Sequence, residues 1–174
     1  MLFFKLEADK INQNPNILAI GIKSGENRTR IWGRWQYESE KSMVSDFAKW
    51  FLEEKDKIIV GFNILKFELP VLLLKLSIYS KNENNDFNME KFEKFFLKLN
   101  RSNILDLFVI LTFLRKGKIK GFKDYCMEID IKFKERKEIL NLYYNSQYKE
   151  FEDAITLNLN ALQKLFLNCI GKND

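Results

Sequence analysis

The amino-acid sequence predicts an α/β domain built around a mixed β-sheet. The first observation is the order of the patterns: three strand-like segments open the chain, and helical and strand-like patterns alternate after them. The second is the apolar content, because hydrophobic residues make up 46% of the 174 residues and include 16 phenylalanines. A chain of this length and composition buries a substantial core. We therefore expect residues 1–174 to form a single domain.

Five segments have the β-branched and aromatic composition of strands. The first three are joined by turn-forming residues at 12–16, which include Pro15, and at 24–27, and this spacing predicts an antiparallel meander. The fourth segment is short and ends just before Gly61, and the fifth leads directly into a helical pattern. The predicted strands span residues 2–6, 17–22, 29–35, 58–60 and 103–107.

Apolar residues at helical spacing mark the remaining segments. Met43, Phe47 and Phe51 follow this spacing after Ser39 and Ser42, either of which could cap the helix. Residues 81–88 are polar and rich in asparagine, which predicts a loop. Further helices are predicted over residues 68–79, 89–99, 107–114 and 122–129, and from residue 134 onwards with a break near residues 145–146.

The sequence contains no histidine, and this absence excludes several classes of mechanism. A Ser-His-Asp triad, a Cys-His pair, a histidine general base and a histidine-ligated zinc site all require that residue. Hydrolytic chemistry would have to come from carboxylates with hard metal ions, or from Lys, Tyr or Cys. The formal net charge of +5 suits a polyanionic partner.

The cysteines and the apolar runs predict the cellular environment. Cys126 and Cys169 do not form a Cys-x-x-Cys pair, and two separate cysteines are typical of a reducing compartment. Charged residues interrupt every apolar run well before the ~20 residues that a membrane span needs. No basic segment followed by an apolar stretch opens the chain. We expect a cytoplasmic, intracellular protein with no membrane partner.

The most specific motif lies between residues 58 and 72, where a β-branched run is followed by Gly61, Asn63, Glu68 and Pro70. This segment resembles the second motif of the DnaQ-like (DEDD) 3′–5′ exonuclease superfamily, especially the proofreading domain of family B DNA polymerases. The family pattern is a buried strand, Gly-x-Asn, a short spacer and Phe-Asp-Leu-Pro, so that Glu68 stands at the family's Asp position. An ordinary strand, loop and helix with an acidic residue at the helix start is the alternative interpretation.

The resemblance narrows the fold and suggests an activity. It implies a ribonuclease H-like fold with a five-stranded mixed sheet flanked by helices. In the family, acidic residues hold two divalent ions about 4 Å apart that cleave a phosphodiester bond. Mg²⁺ or Mn²⁺ would be the cofactor, because these hard cations prefer oxygen ligands. The substrate would be single-stranded DNA or RNA.

The first family motif is Asp-x-Glu at the end of the first strand, and strand alternation places both carboxylates on one face. Residues 3–8 resemble this motif, with Lys5 at the Asp position and Glu7 at the Glu position. Lys5 would put an ammonium where the family has its principal metal ligand. A shifted register, in which Glu7 and Asp9 form the acidic pair, remains an alternative.

The third family motif resembles residues 149–156, where Asp153 matches the fourth acidic ligand. The tyrosine that the family carries one helical turn earlier is replaced by Lys149. Tyr148 could take over its role, although it lies about 100° around the helix. The alternative interpretation is an amphipathic helix with solvated acidic residues. Weaker resemblances over residues 103–107 and 122–132 lie in the family order.

Residues 115–123 form the densest basic segment of the chain, and this basic segment is the candidate nucleic-acid interface that the sequence offers. Phosphate groups attract lysines, and an aromatic ring can stack on a base. The alternative is that the segment is a solvated connection between two helices, with Phe122 in the core. A second basic cluster at residues 132–137 is interpreted as the solvated start of a helix. The candidate nucleic-acid-binding residues are Asn63, Lys116, Lys118, Lys120, Phe122 and Lys123.

Three functional hypotheses follow. The leading one is an exonuclease-derived, nucleic-acid-binding or interaction domain whose two-metal site is impaired or lost, in DNA replication or repair. In it, Lys5 and Lys149 pair with Glu7, Glu68 and Asp153, and Lys5 lies beside Glu68 and Asp153. The second is an active 3′–5′ exonuclease with Glu7, Glu68 and Asp153 as metal ligands. The third is an accessory subunit that binds only protein, such as a DNA polymerase or another replication or repair protein.

Overall fold

A computed structural model describes residues 1–9, 15–25, 28–55, 57–81, 87–114 and 117–171. The predicted α/β class and the five-stranded mixed sheet are confirmed in these ranges, with strand order β3-β2-β1-β4-β5. β1 pairs antiparallel with β2 and parallel with β4, β2 pairs antiparallel with β3, and β4 pairs parallel with β5. The strands are β1 (Leu2–Ala8), β2 (Ile17–Ser24), β3 (Arg28–Gly33), β4 (Ile59–Gly61) and β5 (Ile104–Asp106).

Seven α-helices flank the sheet within the described ranges. They are α1 (Glu40–Glu53), α2 (Glu68–Ser80), α3 (Met89–Arg101), α4 (Leu107–Leu114), α5 (Phe122–Glu128), α6 (Arg136–Tyr144) and α7 (Tyr148–Cys169). Ser39 is the residue that caps α1, because its hydroxyl accepts a hydrogen bond from the Ser42 amide. None of the described helices is long and apolar enough to cross a bilayer.

The helices form two layers, one on each face of the sheet, and alternation along β1 divides its side chains between them. Leu2, Phe4 and Leu6 belong to the core that α1, α2 and α3 complete. Phe3 belongs to the second core, built with α4 to α7. Lys5 and Glu7 share the face of Phe3, so that both lie on the α7 side of the sheet.

A glycine brings α7 close to Lys5. Gly21 on β2 is the register partner of Lys5 on β1. A Cβ atom at Gly21 would come within 2.8 Å of the Ile155 side chain and 3.1 Å of Leu159, both on α7. Any larger residue at position 21 would therefore push α7 away from the sheet beside Lys5.

The sequence placed the end of the third strand too late. β3 ends at Gly33, and residues 34–36 form a single 3₁₀ turn instead of continuing to Trp35. The guanidinium of Arg34 holds this turn by donating to the carbonyl oxygens of Tyr37 (2.5 Å) and Glu38 (2.9 Å). The turn directs the Trp35 ring toward α7, where it packs on Tyr148.

Candidate functional site

The site begins at the connection between β4 and α2. Gly61 ends β4, and a Cβ atom at this position would lie 2.6 Å from the Cβ of Ile64, so glycine is required for the tight turn. Asn63 has the left-handed backbone conformation, with φ of 59°. The turn delivers Glu68 as the first residue of α2 with its side chain only 3% exposed.

Asp106, at the end of β5, holds this turn in place. Its Oδ1 accepts hydrogen bonds from the amides of Asn63 (2.7 Å) and Phe108 (3.0 Å), and its Oδ2 accepts one from Leu65 (3.1 Å). Sequence reasoning assigned no role to Asp106. The available signal was an acidic residue at the end of a central parallel strand, next to the strand that carries the main motif.

Lys5 lies between two buried carboxylates. Its Nζ is 3.6 Å from Oε1 of Glu7 and 3.7 Å from Oε1 of Glu68. The side chains of Glu7 and Glu68 are each 3% exposed, whereas that of Lys5 is 31% exposed. The Lys5 side chain therefore lies between the two buried carboxylates and the solvent.

Burial and the ammonium act in opposite directions on Glu68. Burial disfavours the carboxylate form and raises the pKa of Glu68 to about 7, although the positive charge of Lys5 lowers it. Within the described structure, the buried Oε2 atom of Glu68 has no hydrogen-bond partner. For Lys5, burial alone would lower the pKa, but attraction to Glu7 and Glu68 raises it above the usual lysine value. Lys5 therefore carries its charge at neutral pH, while Glu68 titrates there.

We expect the titration of Glu68 to make the protein less stable as the pH rises toward 7. Its folded-state pKa exceeds the ordinary value of 4.5, so the folded state retains a proton that the unfolded state has lost, and this contribution disappears through about pH 7. Glu68→Gln removes this titration. Relative to the parent, the variant should gain about 1–3 kcal/mol of unfolding free energy between about pH 5 and pH 8, measured by urea unfolding. The matched control is Glu150→Gln at an exposed position, whose difference from the parent should not change with pH. If the difference for Glu68→Gln is equally independent of pH, the raised pKa of Glu68 is contradicted.

The arrangement does not fit a divalent ion between Glu7 and Glu68, because the ammonium of Lys5 takes that position. Across the described part of the chain, no group of three or more Asp, Glu, Cys or His side chains is arranged to hold a metal ion. The side chains of Lys5, Glu7 and Glu68 instead form a cluster of two carboxylates around one internal cation.

Asp153 and Lys149 lie on the exposed side of α7. The Nζ of Lys149 is 3.2 Å from Oδ1 of Asp153, and the two side chains are 78% and 64% exposed. Among the described residues, no ion pair joins Asp153 to Lys5, so the expected position of Lys5 beside Asp153 is wrong. The rotation of α7 accounts for the difference, because Phe151, Ala154 and Ile155 take its buried side.

The ring of Tyr148 is part of an aromatic cluster. It stacks on Trp35 with ring centroids 4.9 Å apart and an interplanar angle of 5°. Tyr143 contacts both rings, and Phe151 packs edge-on against Trp35. Tyr144 extends the cluster and is 62% exposed. In this structure the ring of Tyr148 therefore packs in an aromatic cluster, with Trp35 as its stacking partner.

Arg136 and Asp9 complete the surface at the end of β1. The guanidinium of Arg136 donates to the carbonyl oxygens of Ala8 (2.8 Å) and Asp9 (3.2 Å). The Asp9 carboxylate accepts hydrogen bonds from the amide and side chain of Asn16, at 2.9 and 2.8 Å. The pairing of β1 with β2 shifts between Glu7 and Ala8. In this geometry Asp9 is engaged with Asn16, which does not favour an acidic pair of Glu7 and Asp9.

The basic segment is partly neutralised by acidic neighbours. Lys120 forms an ion pair with Glu128, and Lys123 forms one with Glu135 at 2.5 Å. Phe122 is half-buried, with ring centroids 5.4 Å from Phe62 and 6.2 Å from Phe133. Lys118 is exposed, and Lys116 lies outside the described residues.

Comparison with known families supports the resemblance to exonuclease domains. The sequence model described as DNA polymerase family B, exonuclease domain, matches residues 5–122, which is more than half of the chain. This range includes Lys5, Asn63, Glu68 and Asp106 and ends before Asp153. A comparison with curated proteins finds no match. The extent of the family match shows that the chain belongs to the exonuclease-domain family of family B DNA polymerases.

Proposed function

We propose that this exonuclease-derived domain binds single-stranded nucleic acid in replication or repair without cleaving it. The observation that carries the proposal is the ammonium of Lys5 between Glu7 and Glu68, 3.6 and 3.7 Å from their oxygens. The proposed binding surface extends from Lys5 along the end of β1 to Arg136 and the aromatic cluster, and it includes the basic segment.

The chemistry of an ammonium explains why cleavage would be lost. Phosphodiester hydrolysis in this family uses metal ions as Lewis acids that activate a water and stabilise the leaving oxygen. The Lys5 ammonium offers one positive charge and hydrogen-bond donors, but it has no vacant orbital with which to bind a water oxygen. It can attract a phosphate and the two carboxylates electrostatically, and neither action generates a nucleophile.

The groups around Lys5 suit a nucleic-acid strand. Lys5 is 31% exposed, and Arg136 acts on it electrostatically, so positive charge reaches the surface at the end of β1. Tyr144 is 62% exposed and packs on Tyr143, which contacts the stacked rings of Trp35 and Tyr148. A basic surface with an accessible aromatic ring is the usual arrangement for binding single strands without sequence preference.

The deciding experiment measures both cleavage and binding on one labelled single strand. With Mg²⁺ or Mn²⁺ present, we expect no trimming, while binding should weaken steeply as salt rises. The control variant is Glu7→Ala/Asp153→Ala. Metal-dependent trimming that this variant abolishes would instead establish an active 3′–5′ exonuclease. If neither trimming nor strand binding occurs even at low salt, the domain is a protein-binding accessory subunit.

A second measurement asks how much affinity the basic segment contributes. Lys118→Glu/Lys120→Glu should weaken strand binding and reduce the salt slope by about one for each phosphate that is no longer bound. Lys132→Glu/Lys134→Glu reverses the same number of charges on the second basic cluster and should have a smaller effect. Equal affinities of the Lys118/Lys120 variant and the parent at every salt concentration would show that the segment is only a connector. Exposed charge changes alter stability by about 0.5 kcal/mol or less, so both variants should fold.

A further inference from the structure

Helix α4 leaves apolar side chains in solvent. All of its residues except Thr112 are apolar, yet only Leu107 and Leu111 are buried. Val109 is 54% exposed, Phe113 83% and Leu114 60%. A helix that is apolar on every side is normally enclosed by its own protein or by a partner. The exposed side of α4 is therefore unlike an ordinary solvated helix face.

The exposed residues continue past the helix end. Val109 and Phe113 are four residues apart and share one face of α4. Gly117 has a φ of 82°, and its amide donates to the carbonyl oxygen of Thr112 at 2.9 Å, which ties it to the last turn of α4. Ile119, two residues further along the chain, is 75% exposed. We name Val109, Phe113, Leu114 and Ile119 the α4 surface.

Positive charge adjoins the α4 surface. Five basic residues and no acidic residue occur from 115 to 123. Lys118 is exposed, and no described residue forms an ion pair with it. The pairs of Lys120 and Lys123 with Glu128 and Glu135 lie at the surface, where such pairs contribute little and can exchange partners. The apolar residues are thus next to lysines that an acidic partner could bind.

We infer that the α4 surface docks an acidic amphipathic segment of a partner protein, whose apolar residues cover Phe113 and whose carboxylates meet the neighbouring lysines. A second copy of this chain is disfavoured, because it would bring two basic segments together. A nucleic-acid strand is disfavoured because three of the four residues of the α4 surface are aliphatic, so that Phe113 alone offers a ring on which a base could stack. The inference shares the lysines of the basic segment with the proposed strand-binding surface, but it does not depend on the part of that surface around Lys5, and the substitutions that test it lie at Val109 and Phe113.

The test uses labelled helical peptides of designed sequence. One peptide carries leucines at i, i+3, i+4 and i+7 with glutamates elsewhere, and its counterpart replaces the glutamates with lysines. The parent should bind the acidic peptide and not the basic one in fluorescence anisotropy. Val109→Ser/Phe113→Ser should weaken binding by at least about tenfold. The matched control is Leu74→Ser/Ile78→Ser, a pair with the same spacing on α2 whose side chains are both 44% exposed.

Several results would overturn the inference. One is the absence of binding to the acidic peptide, and another is equal loss of affinity in the test and control variants. Dimerisation of the parent that Val109→Ser/Phe113→Ser abolishes would assign the surface to a second copy. Binding to vesicles of phosphatidylserine and phosphatidylcholine, or to oligothymidine, that depends on Phe113 in the absence of peptide binding would assign it to lipid or nucleic acid. Circular dichroism of each variant verifies that the fold is retained.

Discussion

Replacing Lys5 with methionine should destabilise the protein at pH 8 far more than at pH 5.5. Methionine keeps most of the side-chain volume but removes the ammonium that lies between the carboxylates of Glu7 and Glu68. Two buried carboxylates without a cation repel each other, and losing one partner of a buried pair typically costs about 3–5 kcal/mol. Because Lys5 is 31% exposed, we expect an effect somewhat smaller than this range, about 2–3 kcal/mol at pH 8.

The pH dependence separates this effect from a loss of packing. Lys5 lowers the pKa of Glu68, so Lys5→Met should raise it further above about 7. The folded variant then holds a proton that the unfolded chain lacks over a wider pH range, and its stability is lost as the pH rises through that range. Urea unfolding at both pH values measures the difference. If Lys5→Met lowers the unfolding free energy equally at pH 5.5 and pH 8, the destabilisation comes from lost packing and not from charge.

A matched control is available on α7. Lys149 also pairs with an acidic residue, but that pair is exposed, so Lys149→Met should change the unfolding free energy by less than about 1 kcal/mol at either pH. The double variant Lys5→Met/Glu68→Gln should recover part of the stability that Lys5→Met removes, because it eliminates one of the two carboxylates. Additive effects of the two substitutions would contradict a direct interaction between Lys5 and Glu68.

The second large effect concerns divalent ions. We expect negligible Mg²⁺ binding by the parent at millimolar concentration, because an ion would have to displace the ammonium of Lys5. Lys5→Asp/Glu68→Asp/Lys149→Tyr replaces the ammonium with a carboxylate and gives the second motif its family residue. This triple variant should bind Mn²⁺ measurably by calorimetry. At an ion concentration of 100 times the dissociation constant, its stability should rise by about 2.7 kcal/mol.

Two controls accompany the triple variant: the unmodified protein, and a double variant that lacks the substitution of Lys5. Glu68→Asp/Lys149→Tyr, which retains Lys5, should bind no more Mn²⁺ than the parent does. Two tight Mg²⁺ sites in the parent would overturn the interpretation that the metal site is lost. If the triple variant gains no ion-dependent stability, the loss of the site has further causes, and the exposed position of Asp153 is the first to examine.

The family resemblance, together with local rules, predicted the part of the site on β1, β4 and α2. Gly61 and Asn63 marked the turn before Glu68, and two-residue alternation put Lys5 and Glu7 on one face. These positions depend on backbone geometry within a few residues. The same rules predicted the order of the strands and helices, because each element carried its own apolar spacing.

Other features depend on packing between distant segments. The rotation of α7, which leaves Asp153 in solvent, is set by Phe151 and its buried neighbours and not by the spacing of the third motif. The ion pair of Lys123 with Glu135 joins residues on separate elements. The sequence predicted a helix over residues 107–114 but not which of its apolar side chains are covered, and Phe113 is 83% exposed. Sequence periodicity reports which residues are apolar, but it does not report what covers them.

The internal cation has a consequence for the protein in the cell. An ion bound from solution leaves when its free concentration falls, whereas the ammonium of Lys5 is attached to β1 by its own side chain. The favourable interaction of this positive charge with Glu7 and Glu68 is therefore independent of the supply of divalent ions. We expect the unfolding midpoint to be the same with and without a chelator, which would let the domain keep its fold through magnesium or manganese starvation.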